Sequence, residues 1–164
     1  MQSASAASVV NGGEVSSLAR GWGNLDWVAL KEGQALAAAS EKPLMLVIWK
    51  TWCGACKALR PLFSDSAEIA SEAANFVVVN TVDDEEPAGA EYSPDGGYIP
   101  RILFLSPKGE VMTDPVAQNH AAGAQYRYFH SSPATIVETM KAVSARTAAS
   151  VLAAAEPPAF EADL

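Results

Sequence analysis

The sequence is poor in cysteine, histidine and positive charge. It has two cysteines and two histidines in 164 residues, and 11 basic residues stand against 19 acidic ones, which gives a net charge of -8. Two cysteines are too few for a disulfide framework, and a chain of this length buries enough surface to fold without one. Because no cluster of Lys or Arg offsets the acidic balance, the chain would repel a polyphosphate, and we expect no nucleic-acid partner.

Long apolar runs are also missing. The two longest, Leu44–Trp49 and residues 76–79, are far shorter than the ~20 residues that span a bilayer, so we predict no membrane helix and no membrane partner. Both runs are rich in β-branched residues, which is typical of buried strands. The first residues do not combine a positive segment with an apolar one, so they do not read as an intact secretory signal.

Strands and helices alternate in the hydrophobic pattern, which predicts one α/β domain. The first predicted helix is 27–40, capped by Asp26. The second is 56–74, with a kink or break at Pro61 and a restart at the capping box 65–68. The third begins at Pro133 and buries Ile136, Val137, Met140 and Val143. The predicted strands are 44–50, 76–82 and a hairpin of 101–105 with 110–112. We assign residues 1–20 to a flexible arm, 21–147 to the domain, and 148–164 to a helix end and an acidic tail.

The two cysteines lie three residues apart, in Trp52-Cys53-Gly54-Ala55-Cys56, between a predicted strand and a predicted helix. This end of a strand is the usual place for a site in an α/β sheet. The free N–H groups and the dipole at a helix start stabilise an anion, which favours the thiolate of Cys53, whereas Cys56 should be less exposed. Because the spacing puts both sulfurs on one helix face, the pair can form and release a disulfide. We predict that Cys53 attacks a substrate disulfide and that Cys56 resolves the mixed disulfide.

Three neighbours of the cysteines have two readings each. Lys50 and Lys57 bracket the pair and can tune its redox chemistry by favouring the thiolate, or they are solvated surface cations. We expect Trp52 to offer a flat apolar surface to an unfolded peptide rather than only to pack the strand end. Gly54 and Ala55 lie between the cysteines and are assigned to the same substrate-facing surface.

Other kinds of site fit the residues less well. A zinc site would need His120 and His130 as further ligands, and their separation is much wider than that of a compact zinc motif. A structural disulfide that closes so short a loop restrains the unfolded chain very little. Adjacent carboxylates at residues 83–86 lack the spacing of a calcium site, so we expect a solvated acidic loop. We therefore expect no metal and no cofactor.

Ile99-Pro100 precedes the strand 101–105, and by itself it favours an ordinary trans turn. The order of features, however, resembles a thioredoxin-fold protein: a strand, Trp-Cys-x-x-Cys, a helix with a proline five residues after the second cysteine, a strand, a hydrophobic residue with proline, a hairpin and a final helix. The resemblance implies an α/β thioredoxin fold with a central mixed sheet flanked by helices. It also implies that Pro100 is cis and faces the disulfide, and that the backbone of Ile99 pairs with substrate.

A narrower resemblance rests on four blocks, residues 21–23, 42–45, 83–87 and 93–105, together with the cysteine motif. These blocks are similar to the anterior-gradient group of small endoplasmic-reticulum oxidoreductases. The resemblance implies disulfide exchange with cysteine-containing secretory client proteins and with glutathione, in the endoplasmic reticulum lumen, and we expect a monomer. The last four residues, Glu161-Ala162-Asp163-Leu164, partly match a KDEL-type retention signal.

Besides the partial match of the last four residues, the sequence departs from the family pattern at Val47. Many thioredoxins carry a buried acidic residue six positions before the first cysteine, where this chain has Val47, so the proton route for Cys56 is unassigned. We predict a protein-disulfide oxidoreductase of oxidase or isomerase type, with the direction of exchange open. The alternative is a peptide-binding chaperone or client-retention module with a dispensable dithiol, which would use the apolar surface of Trp52, Ile99 and Pro100.

Overall fold

The computed structural model describes residues 16–156, and at its centre lies a three-stranded sheet. In the order β2-β1-β3, the strands are Val77–Val82, Leu44–Trp49 and Arg101–Leu105. Strand β1 runs parallel to β2 and antiparallel to β3, so that Leu44 lies opposite both Val77 and Leu105. Every residue of β1 and β3 is buried, and for β1 the continuous apolar pattern predicts a strand covered on both faces.

Within residues 16–156, four α-helices cover the sheet: α1 is Leu30–Ser40, α2 is Gly54–Ser64, α3 is Ala67–Glu72 and α4 is Pro133–Ala155. Alternate residues of β1 pack on the two sides. Met45 and Val47 contribute to the core formed with α2, α3 and α4, while Leu46 and Ile48 contribute to the core formed with α1. The predicted central mixed sheet flanked by helices is confirmed, and so is the buried stripe of the last helix.

Helix α1 begins later than predicted. The segment before Leu30 is extended because the Val28 backbone N–H donates to the carbonyl of Val78 in β2, at 3.2 Å. Trp27 is buried ahead of the helix, and the residue that caps α1 is Ala29, which makes no side-chain capping bond. The predicted cap at Asp26 is therefore wrong: a tertiary backbone contact overrides the local capping signal.

Two further boundaries differ from the prediction. Helix α2 continues through Pro61, so the predicted break does not fall there. The predicted restart at 65–68 is confirmed, because the Ser66 hydroxyl accepts a hydrogen bond from the Ile69 N–H at 3.1 Å and starts α3. The return strand after β3 is reduced to a single bridge between Leu105 and Val111. Nearer the start of β3, the N–H of Ile102 donates instead to the Tyr128 carbonyl, so that later segment occupies part of the sheet edge.

The folded domain begins a few residues before its predicted start. Ala19 is buried and Arg20 pairs with Glu85 at 2.5 Å, so the domain includes residues ahead of the predicted boundary at 21. Residues 1–15, which form most of the predicted arm, and residues 157–164, which carry the Glu-Ala-Asp-Leu sequence, lie outside the described residues. Within residues 16–156, no helix has the length and apolarity needed to cross a membrane.

Candidate active site

The two cysteines lie at the first turn of α2, next to the segment that precedes β3. Cys53 is the N-cap residue, and its sulfur accepts a hydrogen bond from the Cys56 backbone N–H at 3.0 Å. The Cys53 thiol also donates to the carbonyl oxygen of Ile99, over a sulfur–oxygen distance of 3.7 Å. Both thiols are free, and Cys53 is 6% exposed while Cys56 is fully enclosed. A reagent at the surface can therefore meet Cys53 first.

The turn before α2 presents Cys53. The buried strand β1 ends at Trp49, and the Cys53 N–H then donates to the carbonyl of Lys50 at 3.2 Å. Trp52 lies on the outside of this turn with 72% of its surface exposed. Gly54 and Ala55 are exposed as well, and a Cβ at Gly54 would touch no atom within 4 Å. All three residues face solvent beside the sulfur of Cys53.

The segment 99–101 closes the site from the other side. The Ile99-Pro100 peptide bond is cis, as the family resemblance implies, and Pro100 is buried while Ile99 is half-buried. The contact between the Ile99 carbonyl and the Cys53 thiol brings these two segments together across 46 residues of sequence.

The Cys56 thiol is strongly stabilised in its protonated form. Burial raises its pKa to about 12, and the hydrogen bond with Cys53 and the charge of Cys53 act in the same direction. A backbone hydrogen bond from Lys50 and the charge of Arg60 oppose this rise. No carboxylate is among the groups that shift the pKa of Cys56, and Val47 is fully buried at the position where many thioredoxins are acidic.

This difference in environment makes a testable prediction about alkylation of the reduced protein. At pH 9, the ordinary pKa of a cysteine, iodoacetamide should modify Cys53 while Cys56 stays protonated and unmodified. Site-resolved mass spectrometry of the peptides measures both. In urea, where burial is lost, the two cysteines should react at similar rates. Equal initial rates of modification at the two sites in the folded protein at pH 9 would contradict the raised pKa of Cys56.

The two lysines that bracket the cysteines have different surroundings. Lys57 is exposed, as a solvated cation would be. Lys50 is not solvated: its ammonium lies 2.7 Å from Glu86 Oε1 and donates to the carbonyl of Asp83 at 2.9 Å. Neither lysine makes a side-chain contact with a cysteine sulfur among the described hydrogen bonds.

The acidic segment, residues 83–86, is exposed at Asp84 and Glu85, as expected for a solvated loop, but three of its carboxylates have partners within the protein. The Asp83 carboxylate accepts from the Thr51 N–H at 2.9 Å, Glu85 pairs with Arg20, and Glu86 pairs with Lys50 and Arg101. Sequence reasoning missed these residues. One signal was available: Arg101 is a charged residue at the start of a predicted strand, and a charge that is buried in a sheet requires a partner.

The histidines lie apart from the cysteines. His120 donates from its ring to the Pro115 carbonyl at 2.8 Å, and the His130 ring pairs with the Thr135 hydroxyl at 2.9 Å. Over residues 16–156, no three His, Cys, Asp or Glu side chains come close enough together to hold a metal ion.

A cavity of about 470 Å³ adjoins the site on the side of Ile99. Its walls include aromatic and polar side chains from the segment before β3, from the long connection to α4 and from the first turn of α4: Tyr98, Asn119, Tyr126, Phe129 and Thr135. Tyr126 is 48% exposed and packs edge-on against Tyr98, with 5.2 Å between ring centroids. Ile99, which accepts from the Cys53 thiol, therefore also lines this cavity.

Comparisons with known proteins agree with this geometry. A family model described as thioredoxin-like matches residues 26–107. Anterior gradient protein 2-B of Xenopus laevis is 36% identical over 129 residues, which cover 76% of this chain and 75% of the relative. Anterior gradient protein 3 of Mus musculus is 34% identical over 128 residues, which again cover 76% of this chain and 75% of the relative.

Solved structures share the fold at lower identity. A thioredoxin from Thermus thermophilus superimposes with a TM-score of 0.56 and 22% identity, covering 81% of this chain and 97% of the other. The structure titled DsbH oxidoreductase superimposes with a TM-score of 0.51 and 16% identity, covering 85% of this chain and 96% of the other. The predicted thioredoxin fold is confirmed.

Proposed function

The chain belongs to the thioredoxin-like family, with the anterior gradient proteins as relatives, and from this membership we propose that it is a thiol-disulfide oxidoreductase. The observation that carries the proposal is the environment of Cys53. Its sulfur lies at the start of α2, accepts the Cys56 N–H and faces the carbonyl of Ile99. The helix start and the Cys56 N–H favour the thiolate, the nucleophilic form of cysteine, whereas the hydrogen bond to the Ile99 carbonyl belongs to the thiol and is lost on ionisation.

The exchange has two steps. The Cys53 thiolate attacks one sulfur of a substrate disulfide, that S–S bond breaks, and the departing substrate thiolate takes up a proton. Cys56 then attacks the Cys53 sulfur, its own proton passes to the second departing substrate sulfur, and a Cys53–Cys56 disulfide forms. Two electrons have moved from the protein dithiol to the substrate, and the reverse sequence oxidises a substrate dithiol.

The raised pKa of Cys56 suits this order of events. While Cys53 is a free thiolate, its hydrogen bond and its charge help to keep Cys56 protonated. Once Cys53 is bound in a mixed disulfide, both contributions disappear, so the pKa of Cys56 falls at the moment when its thiolate is needed. The protein itself needs no cofactor for this chemistry.

We assign substrate contact to the exposed rim of the site. Trp52, Gly54 and Ala55 lie beside Cys53, and Ile99 and Pro100 lie opposite, where the backbone of Ile99 would pair with an extended client segment. Lys57 is free to tune the thiolate from the surface, whereas the charge of Lys50 is already paired with Glu86.

The proposed partners are cysteine-containing secretory client proteins and glutathione, and the proposed compartment is the endoplasmic reticulum lumen. The anterior-gradient relatives and the sequence Glu161-Ala162-Asp163-Leu164 support this compartment. Within the group, the presence of both cysteines favours a likeness to thioredoxin domain-containing protein 12 over the members that keep one cysteine. We propose that the protein acts as a monomer.

A second function is favoured by the cavity beside Ile99. Together with the exposed Trp52, it provides an apolar surface that does not depend on the thiols, as a peptide-binding chaperone or client-retention module would require. The two functions differ in whether the cysteines are needed.

The variant Cys53→Ser/Cys56→Ser separates them. We expect it to lose all exchange with a fluorescent peptide disulfide in a glutathione buffer, since no thiolate remains. Wild-type protein is the positive control, and circular dichroism checks that the variant is folded. Aggregation of a reduced client protein is measured with the same samples. Suppression that survives in the variant would support the chaperone function, and exchange that survives would contradict the oxidoreductase.

A further inference from the structure

One carboxylate connects the two segments that enclose the Cys53 sulfur. Glu86 places Oε1 2.7 Å from the ammonium of Lys50 and Oε2 2.5 Å from a guanidinium nitrogen of Arg101. Lys50 lies three residues before Cys53, in the turn that leads to it, and Arg101 directly follows Pro100. Glu86 belongs to neither segment and reaches both from the acidic segment.

The Arg101 end of this connection is fully buried. Its guanidinium donates to the backbone carbonyls of Tyr92 and Tyr98, at 3.0 and 2.8 Å, and Glu86 is its ion-pair partner. Burial alone would raise the pKa of Glu86, but the hydrogen bonds and charges of Lys50 and Arg101 outweigh it and hold that pKa below its usual value. Glu86 is therefore an anion near neutrality.

The Lys50 end adjoins the cysteines through the backbone. The carbonyl of Lys50 accepts the Cys53 N–H at 3.2 Å, while its ammonium is bound by Glu86 and by the carbonyl of Asp83. Because a cation paired with a carboxylate has little net charge at a distance, the paired Lys50 stabilises a neighbouring thiolate less than a free lysine would.

We propose that Glu86 is a positioning residue that sets the redox equilibrium of the dithiol, because it keeps the charge of Lys50 from the Cys53 thiolate and holds the Ile99-Pro100 segment through Arg101. The inference rests on the proposed exchange function and adds a residue that regulates it. Its consequence has a definite sign. Releasing Lys50 stabilises the thiolate, and with it the reduced protein, so the protein becomes a stronger oxidant.

The experiment measures the equilibrium in which protein dithiol and one glutathione disulfide give protein disulfide and two glutathiones. Glu86→Gln should lower the constant for disulfide formation about three- to ten-fold, as expected for a shift of up to one unit in thiolate stability. The decisive readout is the effect of Lys50→Met in two backgrounds. Lys50→Met should raise the constant for disulfide formation several-fold in the Glu86→Gln background. In the wild-type background, where Glu86 already pairs with the lysine, the same substitution should change that constant much less.

Two further proteins complete the design. Glu85→Gln removes the same charge one residue away, from a side chain that pairs with Arg20, and should leave the constant within about two-fold of wild type. If Glu86→Gln does not fold, Glu86→Gln/Arg101→Met removes both members of the buried pair and still leaves Lys50 unpaired, so it serves as the second background.

The outcomes separate this inference from the proposed function. An equal effect of Lys50→Met in both backgrounds overturns the inference, because a purely structural Glu86 would not couple to Lys50 in the redox equilibrium. A wild-type protein that forms no Cys53–Cys56 disulfide overturns the exchange function itself. A larger effect in the background that lacks Glu86 supports both.

Discussion

Cys53→Ser should reduce the rate of exchange with a peptide disulfide on the order of a thousand-fold or more, because a hydroxyl at this position is not ionised near neutrality and cannot replace the thiolate. The neighbouring groups that stabilise an anion, the Cys56 N–H and the start of α2, remain in the variant and do not rescue it. Stopped-flow fluorescence with a quenched disulfide peptide measures the loss.

Cys56→Ser is the matched control, since it removes one thiol from the same helical turn. It retains the first step and loses the second, so mixed disulfides between Cys53 and clients should accumulate. Non-reducing gels followed by mass spectrometry identify the linked cysteine. Exchange at the wild-type rate in Cys53→Ser would contradict the assignment of Cys53 as the attacking nucleophile. Failure of Cys56→Ser to trap any client would contradict the assignment of Cys56 as the resolving thiol.

Glu86→Gln should lower the free energy of unfolding by about 3 kcal/mol, because it leaves the fully buried guanidinium of Arg101 without its anionic partner. The carbonyls of Tyr92 and Tyr98 still accept from the guanidinium, but they do not neutralise its charge. Urea unfolding followed by tryptophan fluorescence measures the change.

Two variants test this explanation. Glu85→Gln breaks an exposed ion pair in the same segment and should cost at most about 1 kcal/mol. Glu86→Gln/Arg101→Met removes the buried charge of Arg101 together with its partly exposed partner and should recover most of the loss, because no unpaired buried charge remains. Equal losses in Glu85→Gln and Glu86→Gln, or a double variant weaker than Glu86→Gln, would contradict the assignment of the cost to Arg101.

The sequence predicts those parts of the fold whose signals are local. Strand β1 follows from a run of six apolar residues, and the first turn of α2 follows from the cysteine spacing after that strand. The boundary at Leu30 does not follow, because the backbone of Val28 is held by β2 rather than by its neighbours in sequence. Local capping rules cannot include such a contact.

The candidate site divides in the same way. The two cysteines and Trp52 are visible as a motif, and the cis bond before Pro100 is implied by a family block rather than by the residues alone. Glu86 lies 15 residues from Arg101 and 36 from Lys50, and only the packed fold shows that one carboxylate serves both. A run of acidic residues reads as solvated when its partners are distant in sequence.

The central claim is that Cys53 and Cys56 act as one exchanging dithiol, and a single-turnover reaction with one equivalent of glutathione disulfide tests it most directly. We predict that intact-mass and peptide analysis will find a Cys53–Cys56 disulfide and two glutathiones released per protein. A protein that ends with glutathione stably attached to Cys53, or that remains a dithiol, would contradict it.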